Sequence, residues 1–221
     1  MAIGEKRTAG SGMSRVEKSG VSPPPFKAII FDIDGVLADS REAVVRNTLE
    51  LMQEFGFAVK RDVVEGMSSA HSAESVLVAL EPSLAGEPAL LKKMLARLGG
   101  ITAKNIDLVK PTALVGAVPA LDKKYLLAVA SNRKTSVRMV LEKLRLSGYF
   151  KVVMTSSDAP PKPDPKMINM AVEKLGVAAK EALFVGDNRE DEHAGVGAGV
   201  KFRMLNGVDE KECALFLGEV L

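Results

Sequence analysis

Two aspartates, Asp32 and Asp34, stand two positions apart where an apolar run ends, in Phe31-Asp32-Ile33-Asp34-Gly35-Val36-Leu37. One carboxylate of such a pair can attack an electrophile while the other handles a proton. Gly35 lets the chain turn sharply and lets a substrate approach the backbone. The same pair can also serve as a turn former and helix cap, so on its own it leaves both roles open.

Three further pieces bear on the choice. Ser131-Asn132 follows the apolar run Tyr125–Ala130. Lys162-Pro163-Asp164-Pro165 follows Val152–Thr155, and Gly186-Asp187-Asn188-Arg189-Glu190-Asp191 follows Ala182–Val185. Ligands of open parallel sheets bind beyond the carboxyl ends of the strands, so all four pieces can converge on one rim. Their carboxylate oxygens suit Mg²⁺, which favours oxygen ligands in octahedral geometry. Lys162 and Ser131 would hold phosphoryl oxygens.

The elements that must position these residues are short apolar strands alternating with helices. The strands are Lys27–Ile33, Tyr125–Ala130, Val152–Thr155, Ala182–Val185 and Lys201–Leu205. The helices are expected near Ser40–Phe55, with Asp39 and Glu42 spaced as a capping box, near Thr135–Leu146, from Pro165 to Leu175, and over Asp209–Leu217. Alternation of this kind predicts an α/β fold: a Rossmann-like parallel sheet with helices on both faces. Residues 57–112 break the rhythm. Helical patches at Ala73–Leu80, Pro88–Leu98 and Ala103–Leu108 predict an all-helical insert, with hinges near Ala38–Asp39 and Lys110–Pro111.

Residues 1–25 hold four Gly, four Ser and three Pro and no sustained apolar period, the pattern of a flexible tail. They contain no apolar stretch of about 7–15 residues such as a signal peptide needs. The core is thus expected from 26–56 and 113–221, with 57–112 as a helical cap domain. The whole chain of 221 residues carries a net charge of +2, which the tail alone supplies. So small a charge argues against a nucleic-acid or anionic-membrane binder. No uncharged apolar run approaches the roughly 20 residues that span a bilayer. The single Cys213 excludes an intramolecular disulfide, and a reducing, cytoplasmic setting is the simplest expectation.

Taken together, the four pieces resemble the haloacid dehalogenase superfamily in its phosphatase branch. FDIDGVL fits the first motif, Ser131 the second, Lys162 the third and GDNRED the fourth, in the family's order, over about 27–205. The helical insert resembles the α-helical cap of the phosphoglycolate-phosphatase-like subgroup. Asp34 favours phosphate chemistry, because the superfamily's dehalogenases lack this second Asp.

The resemblance implies a mechanism. Asp32 would become an aspartyl phosphate. Asp34 would protonate the leaving group and then activate water, and neighbouring anions would favour its neutral form. Mg²⁺ would be held by Asp32, the Asp34 carbonyl and Asp187, with Asp191 orienting bound water or Lys162. Ser131, the Asn132 amide and Lys162 would hold the phosphoryl group of a small phosphate ester. His71, in the cap, and Arg133 are candidate specificity residues; a solvated loop is the alternative for His71. A phosphomutase of the β-phosphoglucomutase type shares the core motifs, and a catalytically silent binding protein is a third reading. Retention of Asp32, Asp34, Ser131, Lys162, Asp187 and Asp191 argues against the latter.

Overall fold

The computed structural model describes residues 26–67 and 72–221. The expectations for residues 1–25 and for His71 lie outside the described residues.

Strand β1 (Ala28–Phe31) is followed by the two-residue β2 (Ala38–Asp39) and helix α1 (Arg41–Glu54). Then come α2 (Arg61–Glu65), α3 (Ala73–Leu80), α4 (Pro88–Lys104) and β3 (Lys110–Pro111). The second stretch alternates: α5 (Val118–Leu121), β4 (Leu126–Ser131), α6 (Val137–Lys143), β5 (Val152–Thr155) and α7 (Lys166–Leu175). It closes with β6 (Ala182–Gly186), α8 (Arg189–Gly197), β7 (Lys201–Met204) and α9 (Glu210–Val220).

Five strands form one parallel sheet in the order β5-β4-β1-β6-β7. All four residues of β1 are buried. Its side chains alternate between two cores: Ile29 and Phe31 join one apolar cluster, Ala28 and Ile30 the other. That explains the unbroken apolar run, since a strand covered on both faces has no polar side. The expected α/β sheet with helices on both faces is therefore observed. Phe31 is level with Val129 of β4 and Val185 of β6. Asp32 consequently leaves the centre of the sheet, with Ser131 on one flank and Asp187 on the other.

The helices of the insert have their own apolar cluster, made of Leu51, Met52, Leu77, Leu84, Leu91, Met94 and Ile101. Two of these residues belong to α1. Helix α1 is shared between the two: Ala43 near its start joins the core cluster on the sheet, while Leu51 and Met52 near its end pack with the helices of the insert. The expected patch Pro88–Leu98 is the first part of a longer helix, α4, which runs through Gly99-Gly100 to Lys104; the expected patch Ala103–Leu108 is divided between the end of α4 and a separate 3-10 turn at Ile106–Leu108. Two glycines cost about 1 kcal/mol each in a helix. Burial of Met94 and Ile101, seven residues apart on one face, offsets that cost. A short helix, α2, had no sequence expectation.

The chain enters and leaves this helical region side by side: β2 pairs antiparallel with β3, Ala38 opposite Pro111 and Asp39 opposite Lys110. The Thr112 hydroxyl donates to the Val36 carbonyl at 2.6 Å and fixes the junction. The expected capping box does not form. Ser40 occupies the N-cap position, Asp39 pairs with Arg41, and Glu42 pairs with Arg61. No helix among the described residues is long and apolar enough to cross a membrane.

Candidate active site

Asp32 extends the ladder one residue past β1, its amide donating to the Val185 carbonyl at 2.9 Å. The chain then folds back tightly: the amides of Leu37 and Ala38 both donate to the Ile33 carbonyl, at 2.9 and 2.8 Å. Gly35 carries this turn at φ +78°, and a Cβ there would lie 1.8 Å from Asp187 Oδ2. Glycine is required twice over, for the left-handed backbone and for the approach of Asp187.

Lys162 enters from the loop after β5. Its ammonium lies 2.8 Å from Asp32 Oδ1 and 2.5 Å from Asp191 Oδ1, and donates to the Ala130 carbonyl at 3.0 Å. Asp32 is 5%, Lys162 4% and Asp191 0% exposed. The Asn132 side chain grips the Lys162 backbone from both sides: its Oδ1 accepts from the Lys162 amide at 2.7 Å, and its Nδ2 donates to the Lys162 carbonyl at 3.1 Å. Asn188 does comparable work at the start of α8. Its Oδ1 caps the helix by accepting from the Asp191 amide at 3.0 Å, while its Nδ2 donates to Asp187 Oδ1 at 2.7 Å and Asp191 Oδ2 at 2.9 Å.

Asp34 has different neighbours from those expected. The Arg133 guanidinium forks onto it, Nε to Oδ2 at 2.8 Å and Nη2 to Oδ1 at 2.7 Å, and the Ser40 hydroxyl also donates to Oδ1. Burial alone would raise the Asp34 carboxyl; the charge and hydrogen bonds of Arg133, with Ser40, reverse that and hold it below the usual range. The sequence reading, in which nearby anions keep Asp34 neutral, overlooked a cation 99 residues away in sequence.

The other groups shift upward. Burial raises the Asp32 carboxyl well above its ordinary value against the pull of Lys162, and Asp191 and Asp34 add to the rise. Asp187 is pushed up to about 6, first by burial and then by Asp191 and Asp34, with the Asn188 hydrogen bond opposing. Burial pulls the Lys162 ammonium down, but the charges and hydrogen bonds of Asp32 and Asp191 outweigh it and push its pKa above the ordinary lysine value.

These shifts describe a site with too much negative charge. Four carboxylates, Asp32, Asp34, Asp187 and Asp191, face two cations, Lys162 and Arg133. Oxygens of Asp32, Asp187 and Asp191 lie within 4.8 Å of one another. An all-oxygen cluster with a deficit of two charges fits a hard divalent cation.

The structure thus brings together Asp32, Asp34, Ser131, Asn132, Arg133, Lys162, Asp187 and Asp191. Two contributions were not anticipated: the Ser40 hydroxyl on Asp34 and the Asn132 side chain on Lys162. The direct Lys162–Asp191 contact is one of the two arrangements expected of Asp191. Ser40 was legible only as a helix start, although its place six residues after Asp34 at the end of a tight turn brings it back.

Comparison with known proteins agrees with this geometry. The description of haloacid dehalogenase-like hydrolases matches residues 29–205. The chain belongs to that family. It is a hydrolase of the phosphatase kind, similar to the pyrophosphatase PpaX of Bacillus velezensis, with 27% identity over 79% of this chain and 80% of the relative. Phosphoglycolate phosphatase of Escherichia coli is 34% identical over a shorter stretch, 50% of this chain and 44% of the relative. A solved haloacid dehalogenase-superfamily hydrolase of subfamily IA from Geobacter sulfurreducens superposes with a TM-score of 0.65 at 28% identity, covering 90% of this chain and 99% of that one.

Proposed function

We propose that the protein is a Mg²⁺-dependent phosphatase of a small phosphorylated metabolite, acting through an aspartyl phosphate on Asp32. The observation that carries this reading is the placement of Asp32 at the centre of the sheet edge, beside the Asp187–Asp191 carboxylates and the buried Lys162. Relatives named pyrophosphatase and phosphoglycolate phosphatase make pyrophosphate and phosphoglycolate the first substrates to try.

Asp32, Asp187 and the backbone carbonyl of Asp34 would hold the metal, which supplies positive charge that draws the phosphoryl group and the carboxylate together. A carboxylate oxygen of Asp32 attacks phosphorus, and the bond from phosphorus to the leaving oxygen breaks. Asp34 gives its proton to that oxygen. In the second step a water attacks phosphorus, Asp34 takes the water's proton, and the bond to Asp32 breaks to release phosphate. Arg133 must loosen its hold on Asp34 for the proton to be carried there. Ser131 and the Asn132 amide lie at the end of β4 and orient the phosphoryl oxygens. Lys162 keeps Asp32 and Asp191 in place as charge is redistributed. Residues 57–112 form the cap that closes over the leaving group, hinged at β2 and β3.

The test is phosphate release from a panel of phosphate esters and pyrophosphate, with Mg²⁺ and after chelation. Turnover that needs Mg²⁺ and disappears in Asp32→Asn supports the reading. Equal turnover after chelation, or an active Asp32→Asn protein, overturns it.

A further inference from the structure

The two cations of the site are not equally available to a substrate. A lysine ammonium has three N–H donors. Those of Lys162 are taken by Asp32, Asp191 and the Ala130 carbonyl. Lys162 is thus committed to the protein's own groups. Arg133 has five N–H donors in a planar fork. Two go to Asp34 and one, from Nη1, to Ser136 Oγ at 2.9 Å. Two donors, one on Nη1 and one on Nη2, remain without a partner among the described residues. The Arg133 side chain is 12% and that of Asp34 15% exposed, against 2% for Lys162, so Arg133 is the less enclosed of the two cations.

Position adds to availability. Asp34 is the residue that, on the mechanism above, faces the leaving oxygen, and Arg133 is fastened to it. A leaving group with a negative charge of its own must enter a site that already holds more carboxylates than cations, so it needs a cation near the scissile bond. Arg133 supplies one, with two donors to spare and the bidentate geometry that matches carboxylate and phosphate oxygens.

We propose that Arg133 is a specificity-determining residue that selects substrates whose leaving group carries a second anion, by sharing its fork between Asp34 and that anion. This deepens the phosphatase reading and rests on it. The shared chemistry is a planar or tetrahedral oxyanion close to the scissile bond. A carboxylate, as in phosphoglycolate, and a phosphate, as in pyrophosphate, are its two sources.

The experiment compares kcat/KM of the wild type and of Arg133→Lys and Arg133→Gln on three substrates: phosphoglycolate, pyrophosphate and ethyl phosphate, whose leaving group is neutral. The readout is the ratio of each anionic substrate to ethyl phosphate, so any general loss through Asp34 cancels. Arg133→Lys keeps the charge beside buried Asp34 and guards against a folding failure of Arg133→Gln. The ratio is expected to fall by about ten-fold or more, as loss of a bidentate contact predicts. A fall on one anionic arm only identifies the source of the anion. A ratio unchanged on both arms overturns the proposal.

Calorimetric binding of the same three compounds to the Asp32→Asn protein, with and without Arg133→Lys, reads recognition independently of turnover. Weaker binding of the anionic compounds alone supports the proposal, and equal weakening of all three overturns it. If the wild type hydrolyses none of them, the phosphatase reading fails, and the binding arm still decides the role of Arg133.

Discussion

Lys162 and Asp191 meet at 2.5 Å inside the protein, although one comes from the loop after β5 and the other from helix α8 on the far side of β1. With Asp32 they form a buried triad that fastens the two halves of the sheet edge together. The ammonium is the only cation that touches Asp32 among the described residues.

Removing it should therefore cost stability as well as activity. Lys162→Met leaves two carboxylates buried with no counter-charge, a change worth roughly 3–5 kcal/mol. Urea denaturation of the two proteins measures it directly. A loss below about 1 kcal/mol would show that solvent or rearrangement compensates the triad.

The pH dependence of the metal-free protein should carry the signature of Asp187. Its folded pKa, about 6, lies above the ordinary 3.8. The folded state therefore binds the proton more tightly than the unfolded state. The resulting stabilisation is present at low pH and is lost as pH rises from about 4 to about 6. Asp187→Asn should flatten that part of the profile of Tm against pH in chelated protein. Mg²⁺ needs the ionised carboxylate, so the Tm gained on adding it should be larger above pH about 6 than below. An equal gain at both would remove Asp187 from the metal site.

Asn132→Ala removes both bonds that hold the Lys162 backbone. A buried hydrogen-bonding group left unpaired costs roughly 1–3 kcal/mol, and the ammonium would lose its fixed position. We expect kcat to fall more than KM rises, with Asn132→Asp recovering part of the loss because it still accepts from the Lys162 amide. Steady-state kinetics on the three proteins tests this. A pure KM effect would assign Asn132 to substrate binding alone.

Leu51→Ala tests the packing of α1. Leu51 is fully buried in the helical cluster, and such a truncation typically costs 2–5 kcal/mol, here taken as about 3. Its effect should be additive with Ile29→Ala in the sheet core and more than additive or less with Met94→Ala, its neighbour in the same cluster. Coupling to Ile29 in place of Met94 would assign the Leu51 end of α1 to the sheet core instead.

The sheet and its acidic rim were legible because they obey local rules. An unbroken apolar run ends in Asp32, another in Ser131, another in Asp187, and a parallel sheet must bring these ends together. Gly176, at φ +69°, stops α7 where the sequence placed the stop. What escaped was set by contacts between distant segments. Nothing near Gly99-Gly100 announces that Leu51 and Met52 will hold α4 straight through them. Nothing beside Asp34 announces that Arg133, two residues past the end of the neighbouring strand β4, will fork onto its carboxylate and hold it ionised. Ser40 was hidden for a related reason: it sits where a helix cap belongs, and its hydroxyl turns to Asp34 instead of to the helix.

The central claim is that the phosphoryl group passes through Asp32, and acid quenching during turnover tests it most directly. Protein mixed with Mg²⁺ and a hydrolysed substrate, quenched within the first turnovers and digested at low pH, is mapped by mass spectrometry. The account predicts a phosphoryl group on Asp32 in the wild type and none in Asp32→Asn. A phosphoryl group on another residue, or steady turnover by Asp32→Asn, would contradict it.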